Sequence, residues 1–325
     1  MHIIACGRHG GGRRVFCFIR RQTMPFDWTK TVGKFAGVTA LAGALLIGSP
    51  AAAHEAEETS DPNTGAISLG AGTNVSTHYF FRGILQEDQG FITQPWAELG
   101  FNLYEGTDGI DSVDLSVGIW NSFHDEETGE ATSDGADSWY EADLYAGVGV
   151  SFLEDFSAGL TYTAYTSPND AFTTIEEISL SFGYDDSGLW EDAGVEDFAL
   201  NPSLTAAFEI DETAYGPDEG IYLDFGIAPS FTIVESGDYP ITLTVPVTVG
   251  LGLSDYYETT TDDDHFGYVD LGLDFSMPLA FMPAEFGAWE AGVGAHFLFL
   301  GDNLETTNNG DDFEVIGTFS LSMSY

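Results

Sequence analysis

Residues 241–253 read Ile-Thr-Leu-Thr-Val-Pro-Val-Thr-Val-Gly-Leu-Gly-Leu, with an aliphatic side chain at every odd position and Thr, Pro or Gly at every even one. Successive side chains of a strand point to opposite faces, so a period of two describes a strand with one oily and one wet face. The pattern returns at 269–277 (Val-Asp-Leu-Gly-Leu-Asp-Phe-Ser-Met) and at 318–325 (Thr-Phe-Ser-Leu-Ser-Met-Ser-Tyr). Read through the whole chain, it predicts strands near 66–83, 91–104, 110–123, 139–152, 156–166, 174–184, 199–210, 220–233, 240–253, 265–279, 288–300 and 313–325. Segments of roughly ten residues that alternate and are separated by turn residues are the mark of a transmembrane barrel. The expected fold is therefore all-β: a transmembrane antiparallel up-and-down β-barrel of about twelve strands. A water-soluble sheet protein would alternate too, but it would not explain the repeat number together with the features below.

The connectors alternate in length as such a barrel requires. Those at 105–109, 153–155 and 234–239 are short, whereas those at 124–138, 254–264 and 301–312 are long and rich in Asp, Thr and Gly. The 185–198 segment is too long for the turn expected there, and Pro246 removes a ladder donor in mid-strand, which implies a bulge or local defect. Trp120, Phe123, Trp139 and Tyr140 fall at one set of strand ends and Tyr104, Tyr184 and Trp289 at the other, the places for two interfacial girdles. The chain stops on Tyr325 at the end of an alternating strand, a terminus suited to recognition by the barrel-assembly machinery.

The 325 residues carry a formal charge of -45, and seven of the eight Lys and Arg lie in the first 34 positions; only Arg82 follows. Both cysteines, Cys6 and Cys17, also belong to this leader, so the remainder has no thiol chemistry. Residues 35–48, Phe-Ala-Gly-Val-Thr-Ala-Leu-Ala-Gly-Ala-Leu-Leu-Ile-Gly, follow Lys30 and Lys34 and precede Ala51-Ala52-Ala53. That is the build of a secretory signal peptide cleaved before His54, with Met24 as a natural start. The expected organisation is a signal peptide over 1–53, a short acidic tail over 54–65 and the barrel over 66–325. Removing 1–53 also removes Asp27 and leaves 52 acids against one Arg, a formal charge of -51. No later segment approaches the roughly 18 apolar residues of a transmembrane helix.

Asn74-Val75-Ser76-Thr77-His78-Tyr79-Phe80-Phe81-Arg82-Gly83-Ile84-Leu85-Gln86 resembles the opening of the TorF-type porin family, which has a Ser-x-Tyr-x-Phe-Arg-Gly-x-x-Gln-like signature early in the mature chain. Gly118-Ile119-Trp120-Asn121-Ser122, Glu141-Ala142-Asp143-Leu144-Tyr145-Ala146-Gly147, Tyr165-Thr166-Ser167-Pro168 and Glu177-Ile178-Ser179-Leu180 follow in the same order. The likeness spans roughly 64–184 and implies an outer-membrane barrel with a transport role.

Alternation assigns Glu98, Asp114, Glu141, Asp143, Glu177, Asp224, Asp270, Asp274 and Glu290 to the lumen, where rings of carboxylates attract cations. On the first strand, Val75, Tyr79 and Phe81 are expected to face lipid, and Ser76, His78 and Arg82 the lumen. A guanidinium keeps its proton and offers five donors, so Arg82 should tie carboxylates together; Glu141, Asp143, Glu177 and Glu314 stand at similar heights. His78 and His296 also point inward, and neither His296 near Glu290 nor His78 near Ser76 forms a recognisable catalytic constellation. Asp262-Asp263-Asp264 lacks the spacing of a calcium loop, and there is no zinc spacing, phosphate cradle or basic patch. The reading is a non-enzymatic outer-membrane channel with no cofactor or metal. It would be surrounded by lipid, pass small hydrophilic solutes and prefer cations, and its charge would repel nucleic acid. A non-conducting structural or adhesive barrel, or less readily a barrel enzyme, is the alternative.

Overall fold

The protein is seen here as a computed structural model that describes residues 63, 65–125, 138–195, 198–259 and 264–325. The expected leader with its cleavage site, nearly all of the acidic tail, and Asp262 and Asp263 lie outside the described residues.

In chain order the strands are β1 (Ile67–Ser76), β2 (Tyr79–Phe81), β3 (Ile84–Glu87), β4 (Ile92–Asp108), β5 (Ile110–His124), β6 (Trp139–Phe152), β7 (Phe156–Thr166), β8 (Ile175–Tyr184) and β9 (Ser203–Asp211). They continue with β10 (Ile221–Ile227), β11 (Ser230–Val234), β12 (Ile241–Thr244), β13 (Val247–Ser254), β14 (Phe266–Pro278), β15 (Ala288–Leu300) and β16 (Phe313–Ser324). β2 and β3 form a hairpin of their own, β10 with β11 makes one broken stave, and β12 with β13 makes another. The result is twelve antiparallel staves, as the alternation predicts. β1 pairs with β16 from Gly70 opposite Ser324 to Ser76 opposite Thr318, which closes the cylinder. Tyr325 completes the seam: its N–H donates to the Leu69 carbonyl at 2.8 Å and its carbonyl accepts from the Leu69 N–H at 2.7 Å. Closure gives each stave neighbours on both sides over at least part of its length, with β11, which pairs with β12 alone, the exception within its own stave.

The outer face is oily. Leu144, Leu160, Phe225 and Val293 are each at least half exposed, and Leu99, Leu180, Leu204 and Phe319 join them in the same belt. A continuous apolar belt around a closed barrel belongs in hydrocarbon rather than water. At the end where β1 begins, Phe152, Phe156 and Tyr184 stack across three strands with centroids 5.7 and 4.8 Å apart, beside exposed Tyr104. At the distal end, Phe123 stacks on Trp139 at 5.6 Å and Phe299 packs on Phe313 at 5.0 Å. Two expected girdle members do not take part. Trp120 and Tyr140 are 8% and 6% exposed and sit in an interior cluster with Tyr79. Each lies near a strand end but has the inward parity.

Pro246 interrupts its stave without the bulge that was one of the expected outcomes. Thr244 pairs with Asp274 and Val247 with Leu271, so the register is the same on both sides of the break. The Gly272 N–H donates to the Pro246 carbonyl at 2.8 Å, and the Val245 N–H to that of Pro229 at 2.9 Å. The 185–198 region contains a short helix, α1 (Ser187–Asp192). Asp186 organises it by accepting from the Trp190 indole at 2.7 Å and from the backbone N–H groups of Leu200 and Asn201 at 2.8 Å.

The largest departure is at the first expected strand, which stops at Ser76 instead of running to 83. Ser76 still pairs with Ile92 of β4, so residues 77–91 are an insertion between two adjacent staves. They turn into the barrel.

Candidate functional site

The lumen wall differs along its length. One row of cross-strand partners, Ser68, Gly100, Ser116, Gly147, Thr161 and Ser179, crosses six staves with nothing larger than Thr. A more distal row over the same staves reads Gly72, Trp96, Trp120, Asp143, Tyr165 and Ile175. The small row leaves space, and the large row is where the β2–β3 hairpin docks.

The hairpin enters because the ladder ends in a polar corner. The Thr77 N–H donates to the Gly317 carbonyl at 3.0 Å, the Gly317 N–H donates to Thr77 Oγ1 at 2.9 Å, and Ser76 Oγ donates to the His78 carbonyl at 2.5 Å. Beyond this corner Tyr79 and Phe81, expected against lipid, point into the barrel and are 3% and 7% exposed. Strand parity is lost once the chain leaves the wall. Arg82 and Gly83 form the two-residue tip with φ of 50° and 81°. Positive φ at both central positions is the demand of a type I′ turn, costly for Arg and free for Gly. A Cβ on Gly83 would also lie 2.7 Å from Leu304 Cδ1.

The strained arginine is held on every side. Arg82 Nη1 donates to Glu177 Oε2 at 2.6 Å and Nη2 to Oε1 at 2.9 Å, the bidentate fork that suits guanidinium and carboxylate. Nη1 also donates to Tyr256 Oη at 3.1 Å, and Tyr165 Oη donates to Glu177 Oε1 at 3.2 Å. The guanidinium carbon lies 4.2 Å from the Tyr222 ring centre and 4.9 Å from that of Phe81, within cation–π range. Tyr257 Oη donates to the Arg82 carbonyl at 2.9 Å. Asn308, after helix α2 (Asp302–Thr307), donates to the Gly83 carbonyl at 2.7 Å and accepts from the Leu85 N–H at 3.0 Å. Of the four carboxylates considered for Arg82, the structure brings Glu177 to it. Glu141 instead accepts from Tyr79 Oη at 2.8 Å, Asp143 stands beside Glu141, and Glu314 is on the opposite wall, paired with Leu298.

The hairpin completes two aromatic clusters that fill the distal lumen. One gathers Phe80, Tyr222, Tyr256, Tyr257, Tyr268, Leu298, Leu300 and Leu304; the other gathers Tyr79, Phe81, Ile92, Trp120, Tyr140, Tyr165 and Ile175. Between hairpin and wall remains a cavity of about 30 Å³ bordered by Ser76, His78, Gln94, Asp270 and His296. His296 lies between two carboxylates, with Nδ1 2.9 Å from Asp270 Oδ2 and Nε2 3.4 Å from Asp274 Oδ1, and not beside Glu290. Gly272 makes room for that ring, since a Cβ there would stand 2.9 Å from His296 Cε1. The other lumen carboxylates are spread along the wall: Asp114 accepts from Asn102 Nδ2 at 2.8 Å, Glu98 contacts Tyr145, Glu290 contacts Ser276 and Asp224 contacts Thr205. Among the described residues no group of three or more His, Cys, Asp and Glu converges to hold a metal.

Ser122 Oγ lies 2.8 Å from His124 Nε2, and His124 Nδ1 lies 3.8 Å from Glu87 Oε2. The order resembles a hydrolase triad, but Ser122 is fully buried and the His124 ring is covered by Tyr140 at 4.7 Å, so a substrate carbonyl has no approach. β3 is tied to the wall beside it by Tyr140 Oη, which donates to Gln86 Oε1 at 2.5 Å. The grouping of Ser122, His124 and Glu87 is not legible in the sequence because His124 falls in the expected 124–138 connector and Glu87 belongs to the insertion; the structure carries β5 through His124, which puts Ser122 and His124 on one face.

No protein-family model matches the chain, and no curated protein matches it. Solved structures do. The chain is similar to an outer membrane channel from Pseudomonas putida F1 at 10% identity and TM-score 0.43, covering 83% of this chain and 100% of that one. The transport unit of the autotransporter AIDA-I from Escherichia coli aligns at 12% identity and TM-score 0.40, over 91% and 96% of the two chains. The NanC porin aligns at 10% identity and TM-score 0.36, over 80% and 99%. The architecture itself rests on the closed strand ladder described above.

Proposed function

We propose that this chain is an outer-membrane channel of the TorF-like type for small hydrophilic solutes, with a preference for cations and no enzymatic activity. The observation that carries this reading is the charge of the inner wall. Among the described residues Arg82 is the one guanidinium, already committed to Glu177, and strand alternation assigns Glu98, Asp114, Glu141, Asp143, Asp224, Asp270, Asp274 and Glu290 to the lumen face besides. Such a wall favours cations over anions. The β2–β3 hairpin is then the constriction, and the path past it opens when the hairpin yields. Export through a signal peptide ending at Ala53, and delivery to the assembly machinery through the strand ending at Tyr325, complete the reading.

Planar-bilayer recordings in a KCl gradient test it. We expect discrete conductance steps and a reversal potential displaced toward that of K⁺. Steps with anion preference or none would remove the carboxylate-lined pore. A second reading, a filled structural barrel, is favoured by the many bonds that hold the hairpin, and a refolded protein silent under all voltages would support it instead.

A further inference from the structure

The carboxylates beneath the hairpin outnumber what can neutralise them. Glu177 takes both nitrogens of the Arg82 fork, and Glu141 takes one phenol, from Tyr79. Asp143, 1% exposed, accepts from no N–H, hydroxyl or phenol of the protein; its close polar neighbour is the Glu141 carboxyl, itself an acceptor when ionised, and Glu177 is within electrostatic reach. A second orphan lies on the inner face of the neighbouring strand. Thr163 is 2% exposed and its Oγ1 has no partner. The register places Thr163 directly opposite Glu177, and one step diagonally from Asp143, whose direct partner is Tyr165. Tyr79 and Phe81 of the hairpin close this place off from above, with the Phe81 ring 5.3 Å from that of Tyr165.

A buried carboxylate without a partner is strongly disfavoured, and three unsatisfied oxygens on adjacent strands call for a guest with positive charge. We propose that Asp143, Thr163 and Glu141 form an occluded seat for one alkali-metal cation, Na⁺ or K⁺, which fastens the hairpin to the wall. The donors are hard oxygens, which alkali-metal ions accept, and among the described residues no third carboxylate or His converges with them as a divalent site would require. The ion occupies the closed barrel and does not depend on conduction, so this inference stands or falls apart from the channel reading.

Binding to the folded form alone raises stability by mass action. Unfolding of the mature protein in detergent should shift upward in temperature with the logarithm of NaCl or KCl concentration, and not with choline chloride at equal ionic strength. Asp143→Asn should abolish the shift and Thr163→Val should reduce it. Crystals soaked in thallium(I) should show an anomalous peak between Asp143 and Thr163. Equal unfolding temperatures in all three salts with no thallium peak would overturn the proposal. So would an infrared band of protonated carboxyl that Asp143→Asn removes, since a proton would then hold the place. If Asp143→Asn does not fold, Thr163→Val and the wild-type thallium map still decide.

Discussion

At the scale of the residue, Arg82 carries the most consequence. It is 6% exposed, sits in a backbone conformation unfavourable to a side chain, and is the one basic residue after Lys34. Removing one partner of a buried pair leaves the other charge uncompensated, so Arg82→Ala should destabilise the folded barrel by about 3–5 kcal/mol, read as a lower denaturant midpoint. Arg82→Lys should recover only part of this, because an ammonium cannot reproduce the two-pronged contact with Glu177. Trypsin supplies a second measurement. Folded mature protein should resist cleavage after Arg82 and unfolded protein should give two fragments; rapid cutting of the folded form would contradict the burial. A carboxylate partner for Arg82 was legible in the sequence, because a lone Arg among so many acids has few alternatives; its inward placement was expected from a strand parity that in fact ends at Ser76. Which carboxylate it meets was not legible. Glu177 is on β8 and the tip reaches it only because the insertion crosses the lumen, a distance that strand parity does not encode.

At the scale of the element, the β2–β3 hairpin fills the distal lumen, and on the proposed channel reading it is what narrows the path. Ser76 pairs directly with Ile92, so residues 77–91 can be replaced by Asn-Gly, a turn with the right twist to join two adjacent antiparallel strands, without shifting the barrel register. The shortened protein should still fold to a heat-modifiable barrel and should conduct at least several-fold more than the full chain. An unchanged conductance would mean that the aromatic side chains of the wall close the path unaided. The staves themselves were readable to within a few residues, since a one-residue error in register would move every oily side chain to the wet face. The first strand was misread for the same reason. Tyr79 and Phe81 continue the apolar alternation of Val75, and only the corner at Thr77 and Gly317 shows that they serve an inner cluster. Trp120 and Tyr140 failed as girdle residues likewise: their height was right and their face was wrong.

At the scale of the whole molecule, the expected outcome is a processed, lipid-embedded barrel. Exported protein should begin near His54, fractionate with outer membranes and change its gel mobility on boiling; an intact leader on exported protein would refute the processing. Twelve alternating segments and a final strand ending in an aromatic residue are repeated or local features, and repetition lets a weak period-two signal accumulate along the chain until one architecture accounts for it. The sequence therefore determined by itself the barrel and its strand number. The tertiary structure alone decided that the distal lumen is filled, that Arg82 faces Glu177, and that Tyr256, Tyr257 and Asn308 come back from distant loops to lock the hairpin tip. Those contacts join residues more than ninety positions apart across the interior of a closed cylinder. Alternation reports which face a side chain takes, but not what stands across the lumen from it.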